Sequence, residues 1–315
     1  MFKGKNVLVA GGSGLIGRQL VDLLLKEEAN VLVCDLNKTN NKNIDQMSLD
    51  LTVYDNCLKA TSGMDYVFNL LCAKGSPKAM KERPASHFVP MILFDTNLMR
   101  AAKEKNVKRY MYSSTLGVYA PAEIFFEEDV WKTFPSKNDR FAGWAKRMGE
   151  LQTEAYEIQY GWDEISIVRP ANTYGPYDNF NTDSAMVVPS LVKKVLSGKD
   201  EIVAWGDGSN IRDFIHSKDV AMGMLEVMRQ CPGPSMPINL GSGTGYSIKE
   251  LITTIVKHSG LNPKIVWDTS KPSGDIIRIL DTSRAKKLGI NPKISLEEGI
   301  KDLIDWYVNS EINNE

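Results

Sequence analysis

Residues 5–10 (KNVLVA) form a short apolar run, and residues 11–17 (GGSGLIG) follow with no linker between them. A strand that opens at once into a glycine-rich turn, and then into the amphipathic helix expected over residues 15 to about 26, leaves few architectures open. Gly11 permits a tight turn, Gly14 lets backbone amides approach a pyrophosphate, and Gly17 lets the helix pack on the strand with its N-terminus toward the anion. A glycine run alone also occurs in ordinary loops. The next strand, residues 30–34 (NVLVC), ends at Asp35, about twenty residues beyond the glycines. A carboxylate there accepts hydrogen bonds from an adenosine ribose and repels a 2′-phosphate, so the expected cofactor is NAD rather than NADP.

Strand-like and helix-like segments then alternate to residue 169, with strands near 64–71, 109–113 and 164–168 and helices near 90–104 and 141–160. That alternation predicts an α/β fold with a doubly wound parallel sheet, a Rossmann arrangement. Beyond Pro170 proline and glycine become frequent. Short strands at 201–204 and 264–267 and helices at 185–196, 248–258 and 296–308 predict a smaller C-terminal lobe that binds substrate. The expected division is residues 1–170 for the cofactor domain, with 211–240 returning to it, and residues 171–210 and 241–315 for the smaller lobe. In that return, residues 213–215 and 217–228 are expected to belong to the large domain. Ligand chemistry belongs between the lobes, at the carboxyl ends of the strands.

Composition narrows the partners. The 315 residues carry 38 basic and 39 acidic side chains, interspersed, for a net charge of −1, which gives no reason to expect nucleic acid or a membrane surface. Cys34, Cys57, Cys72 and Cys231 lie far apart with no CxxC pair, and Cys34 and Cys72 fall in expected strands, so they read as buried thiols. His87, His216 and His258 lack ligand spacing, and no metal is expected. With no leader and no apolar run long enough to span a bilayer, the expected compartment is the cytoplasm.

Several motifs together resemble the extended short-chain dehydrogenase/reductases, the NAD-dependent epimerases and dehydratases of nucleotide sugars. They are residues 11–17, Asp35, Asp50-Leu51, Ser113-Ser114-Thr115 with Val118-Tyr119, Lys146, residues 169–176 (RPANTYGP) and residues 212–216 (RDFIH), and they cover nearly the whole chain. Residues 70–75 (LLCAKG), 175–180 (GPYDNF), Val188-Pro189 and 267–274 (WDTSKPSG) are most similar to the GDP-fucose synthase branch. The resemblance implies NAD contacts from Gly11, Gly14, Leu15, Ile16, Asp35, Asp50, Leu51, Leu71, Lys146 and Pro170. It implies contacts to a GDP-linked sugar from Lys74, Asn172, Tyr177, Asn179, Val188, Trp205, Arg212 and Lys271. Two cations and an aromatic face, Arg212, Lys271 and Trp205, suit a diphosphate and a base. Relatives dimerise through two helices, here near 97–105 and 145–158, where Leu98, Ala101, Ala102, Leu151, Ala155 and Ile158 recur at helical spacing. A homodimer is expected and a tetramer stays open.

The departures from that pattern restrict the chemistry. Four residues before Lys146, where the family carries a tyrosine on the same helix face, stands Ala142, which has no proton to pass. Two accounts are open, a deliberate replacement or a natural one with slow turnover or a water between Thr115 and Lys146 taking the proton. The Cys and His with which fucose synthases epimerise match Gly117 and Tyr177, and the acidic pair of dehydratases matches Leu116 and Gly117, so double epimerisation and elimination both lose their catalysts. Met91 replaces an active-site Asn and reads as core packing. What survives is hydride transfer at C4 of a GDP-linked sugar, such as a GDP-manno-heptose destined for surface polysaccharide, with Thr115 bonding the C4 oxygen and Lys146 binding the nicotinamide ribose. A C4 epimerase or 4-keto reductase, and a non-catalytic nucleotide-binding protein, are the alternatives.

Overall fold

The computed structural model describes residues 1–37, 39, 41, 44–73, 82–181, 185–271 and 274–312. In chain order the first half comprises β1 (Asn6–Ala10), α1 (Leu15–Lys26), β2 (Asn30–Asp35), β3 (Asp45–Ser48), α2 (Tyr54–Thr61), β4 (Tyr66–Asn69), α3 (Ala85–Glu104), β5 (Arg109–Ser113), β6 (Ile124–Phe125) and α4 (Arg140–Tyr160). The second half comprises β7 (Ile165–Pro170), β8 (Asn172–Tyr174), α5 (Val187–Leu196), β9 (Glu201–Trp205), β10 (Ile211–His216), α6 (Ser217–Gln230) and β11 (Ile238–Leu240). β12 (Gly245–Ser247), α7 (Ile248–Ser259), β13 (Lys264–Asp268), β14 (Ile277–Leu280), α8 (Ser283–Lys287) and α9 (Leu296–Ile312) complete it.

Seven strands form one parallel sheet in the order β11-β7-β5-β4-β1-β2-β3. Successive side chains of a strand point to opposite faces, so the apolar run of β1 feeds two cores at once. Val7 and Val9 pack with Leu20, Val21 and Leu24 of α1 and with Val220, Met224 and Met228 of α6. Leu8 and Ala10 pack on the other side with Met91, Leu98 and Ala102 of α3 and Ala145 of α4. Strand order reverses at β1, which leaves a crevice beyond the carboxyl ends of β1 and β4.

A second sheet, β12-β10-β14-β6 with β8 beside β10, and a two-stranded β13-β9 pair cover that end. A third core, with Val188, Leu191 and Val192 of α5, Leu251 and Ile255 of α7, and Ile300 and Leu303 of α9, holds these elements together. β10 pairs with β8, β12 and β14, while α6 packs on the large sheet and β11 joins its edge. α3 begins five residues before the expected start, with Pro90 inside it. Cys72, expected buried, is exposed because the hydrogen-bonded strand ends at Asn69. Leu98, Ala101 and Ala102 are buried within the chain, whereas Leu151, Ala155 and Ile158 are exposed on α4. No described helix is long and apolar enough to cross a membrane, and the described residues hold no metal-ligand cluster.

Candidate active site

The glycine turn folds as its residues require. Gly11 has φ +81°, a left-handed conformation, and a Cβ there would stand 3.0 Å from the Leu70 carbonyl oxygen of β4's end. Gly17 lets α1 close on the turn, since its Cβ would meet the Gly11 carbonyl oxygen at 2.4 Å. Gly14 caps α1 in extended conformation with no side-chain cap, so the helix N-terminus opens toward the crevice at the switch point. Asp35, at the end of β2, accepts a hydrogen bond from the Ser13 amide at 3.2 Å, which places its carboxylate over this same turn. Leu15 and Leu51 are buried, Ile16 and Leu71 half-buried, and Asp50 is exposed at the start of a turn where it accepts from Thr52. Pro170 closes β7 beside Leu240. A bare helix N-terminus, a glycine-rich turn and an adjacent carboxylate fit a dinucleotide, which would supply a hydride acceptor when bound.

On the other side of the switch point α4 brings Lys146 to the carboxyl end of β4. Its ammonium donates to the Leu71 carbonyl oxygen at 2.9 Å and lies 3.1 Å from Asp95 of α3. Asp95 also accepts from Asn69 at 2.8 Å and from the Tyr112 hydroxyl at 2.9 Å. Burial raises the Asp95 carboxyl above the ordinary range, against the pull of Lys146 and these donors. Thr115, half-buried, accepts from the Gly117 amide at 3.2 Å and turns the chain after β5. Ala142 is half-buried against the core that contains Met91, which is buried as expected. Behind this layer Arg169 and Glu150 form a buried pair at 2.7 Å, and Ser114 donates to Glu150.

The second sheet contributes cations. Arg212 of β10 is half-buried, and burial together with the neighbouring Arg278 lowers its guanidinium to about 10. Arg212 and Arg278 are register partners on the paired strands β10 and β14, and two guanidinium groups held side by side suit an anion. Arg278 of β14 was not picked out by sequence; it pairs with Asp139 at 2.5 Å and lies 3.7 Å from Asp275. A cation inside the apolar strand run IIRIL is the signal that marks it.

The remaining residues expected to hold substrate are spread more widely. Asn172 donates to the Asp213 carbonyl oxygen and Asn179 lies in the turn after Tyr177. Tyr177 has φ +72° and packs edge-on against Trp306, with the Arg18 guanidinium 4.8 Å from its ring. Val188, expected at the substrate, is buried in the smaller lobe's core, because α5 turns its apolar face inward there. Trp205 and Lys271 are exposed, and Lys74 lies outside the described residues.

Residues 7–241 match the NAD dependent epimerase/dehydratase family. The chain belongs to that family. It is 31% identical over 99% of its length, and 95% of the relative's, to GDP-L-fucose synthase 1 of Arabidopsis thaliana. Its fold matches that of UDP-glucose 4-epimerase from Thermotoga maritima with a TM-score of 0.85 at 26% identity, over 97% of this chain and 99% of the other. A GDP-mannoheptose C4 reductase of Campylobacter jejuni, solved with NADP bound, matches with a TM-score of 0.83 at 25% identity, over 98% and 99%. Gly11 packs against the Leu70 carbonyl and Lys146 donates to the Leu71 carbonyl, so the glycine turn and Lys146 meet the same short segment after β4.

Proposed function

We propose that this epimerase/dehydratase family member oxidises the C4 hydroxyl of a GDP-linked sugar to the 4-ketone with NAD. The observation that carries the reading is the pairing of a retained Thr115 and Lys146 with a glycine at 117. Thr115 bonds the C4 oxygen, Lys146 holds the nicotinamide ribose, and position 117 offers no side chain with which to move a carbon-bound proton. Arg212 and Arg278 hold the diphosphate. The GDP carrier is supported by the fucose synthase relatives, and GDP-manno-heptose, the sugar nucleotide named for the Campylobacter reductase, is the first substrate to test. Asp35 over the glycine turn supports NAD as the cofactor. A role in surface polysaccharide synthesis follows from such a product, and the exposed Leu151, Ala155 and Ile158 stripe of α4 is the proposed dimer face.

The test is a product assay with GDP-linked sugars and NAD. A lasting 4-keto product with stoichiometric NADH supports the reading; an inverted C4 alcohol without net NADH overturns it in favour of a C4 epimerase, the activity of the Thermotoga neighbour. Failure of the protein to bind NAD overturns both.

A further inference from the structure

We propose that Asp139 is the group that accepts the C4 hydroxyl proton, in place of the phenol that position 142 lacks. The proposal rests on the oxidative reading above. A Cβ built on Gly117 would lie 3.2 Å from the Asp139 Cβ, 3.4 Å from its carboxyl carbon and 3.5 Å from Cγ2 of Thr115. The space that a side chain at 117 would fill is therefore taken from the opposite wall by a carboxyl group flanking Thr115. The start of α4 is pressed onto this turn, since a Cβ on Gly143 would meet the Gly117 carbonyl oxygen at 2.4 Å. Asp139 is the N-cap of the helix that carries Ala142 and Lys146, three and seven residues further on.

The carboxylate is not occupied in capping that helix. Asp139 is the N-cap residue without a side-chain cap bond, and its main-chain carbonyl accepts from Gly143. Its partner is Arg278, which also faces Asp275 and crowds Arg212. An arriving diphosphate competes for Arg278 as a stronger, multiply charged acceptor. Seating the substrate then loosens the cation from Asp139 and leaves its carboxylate beside Thr115, where the C4 oxygen is held. In the step, the C4 hydrogen leaves as hydride for the nicotinamide of NAD⁺, the oxidant. The hydroxyl proton passes to an Asp139 oxygen, and the C4–O bond becomes a carbonyl. The side chain is 26% exposed, so the carboxylic acid returns its proton to solvent.

Asp139→Asn separates binding from proton transfer. The expected result is turnover lower by about 100- to 10,000-fold, with GDP bound about two- to fivefold tighter by calorimetry because Arg278 is no longer shared with a carboxylate, and NAD affinity unchanged. Asp139→Glu, which keeps the acid, is expected to recover part of the turnover. Unchanged turnover or weaker GDP binding in Asp139→Asn overturns the proposal alone, provided the wild type is active. Solvent deuterium entering the carbons beside the ketone, and lost in Asp139→Asn, also overturns it, since Asp139 would then serve a carbon acid. A wild type inert toward every GDP-linked sugar overturns it together with the oxidative reading.

Discussion

The ammonium of Lys146 lies 3.1 Å from a carboxylate oxygen of Asp95, and both side chains are almost wholly removed from water. A buried pair of this kind is costly to break and nearly neutral to replace as a unit, because desolvation offsets the attraction while an orphaned charge has nothing to offset it. Asp95→Leu is expected to destabilise the fold by about 3–5 kcal/mol, and Asp95→Leu with Lys146→Met by much less. Denaturant unfolding of Asp95→Leu, Lys146→Met and the double variant checks this; a loss in the double variant equal to the sum of the two single losses would show that the pair is uncoupled.

Cofactor preference should follow Asp35. Its carboxylate sits over the Ser13 amide at the glycine turn, where an adenosine ribose would lie and where a 2′-phosphate would meet like charge. NAD is expected to bind at least about tenfold tighter than NADP, a difference worth about 1.4 kcal/mol, and Asp35→Ser to remove most of it. Calorimetric titration of both dinucleotides into both proteins measures it, and an unchanged ratio in the variant would assign the preference elsewhere.

His216 introduces a pH dependence. Its ring is buried at the end of β10, where Nδ1 accepts from the Lys218 amide at the start of α6 and Nε2 lies 3.2 Å from Asp302. Burial holds its pKa below 6.5, against the attraction of Asp302 and Asp219 and with the repulsion of Lys218. A folded pKa below the unfolded one means that the unfolded chain takes the proton first. The contribution is therefore complete above pH 6.5 and is lost as pH falls through the folded value. Tm of the wild type should fall over that interval more steeply than Tm of His216→Asn, which keeps a cap acceptor without the titration. Parallel Tm profiles would exclude His216 as the cause.

What was readable from sequence was local, and what was missed depends on distant contacts. The turn of residues 11–17, its helix and Asp35 are fixed by neighbours in the chain, and Lys146 is marked by its helix position. Asp139 and Arg278 are 139 residues apart and meet only because β14 is laid against the start of α4 by the second sheet. The sheet that β10 joins is also a matter of distant contacts: its apolar alternation reads alike in either layer, and only its pairing with β8 and β14 decides. The apolar run of residues 64–71 outlasts the hydrogen-bonded strand, which is why Cys72 was expected inside and lies outside.

Restoring a phenol at position 142 measures how far the site has been rebuilt around its absence. Ala142 lies one helical turn before Lys146, half-buried beside the core that holds Leu71 and Phe88, so a tyrosine ring there would run along the helix face that Lys146 shares. In a site that had merely lost its acid/base, the new phenol would return about 100- to 10,000-fold in turnover. In a site where Asp139 takes the proton, as proposed above, the proton already has a destination and a second acceptor adds little. Ala142→Tyr is therefore expected to raise turnover by less than about tenfold and to rescue Asp139→Asn by far more than it raises the wild type. Steady-state NADH formation in the two single variants and the double variant measures both effects. A gain of 100-fold or more in the wild-type background would return the role to the phenol and leave Asp139 as a partner of Arg278 alone.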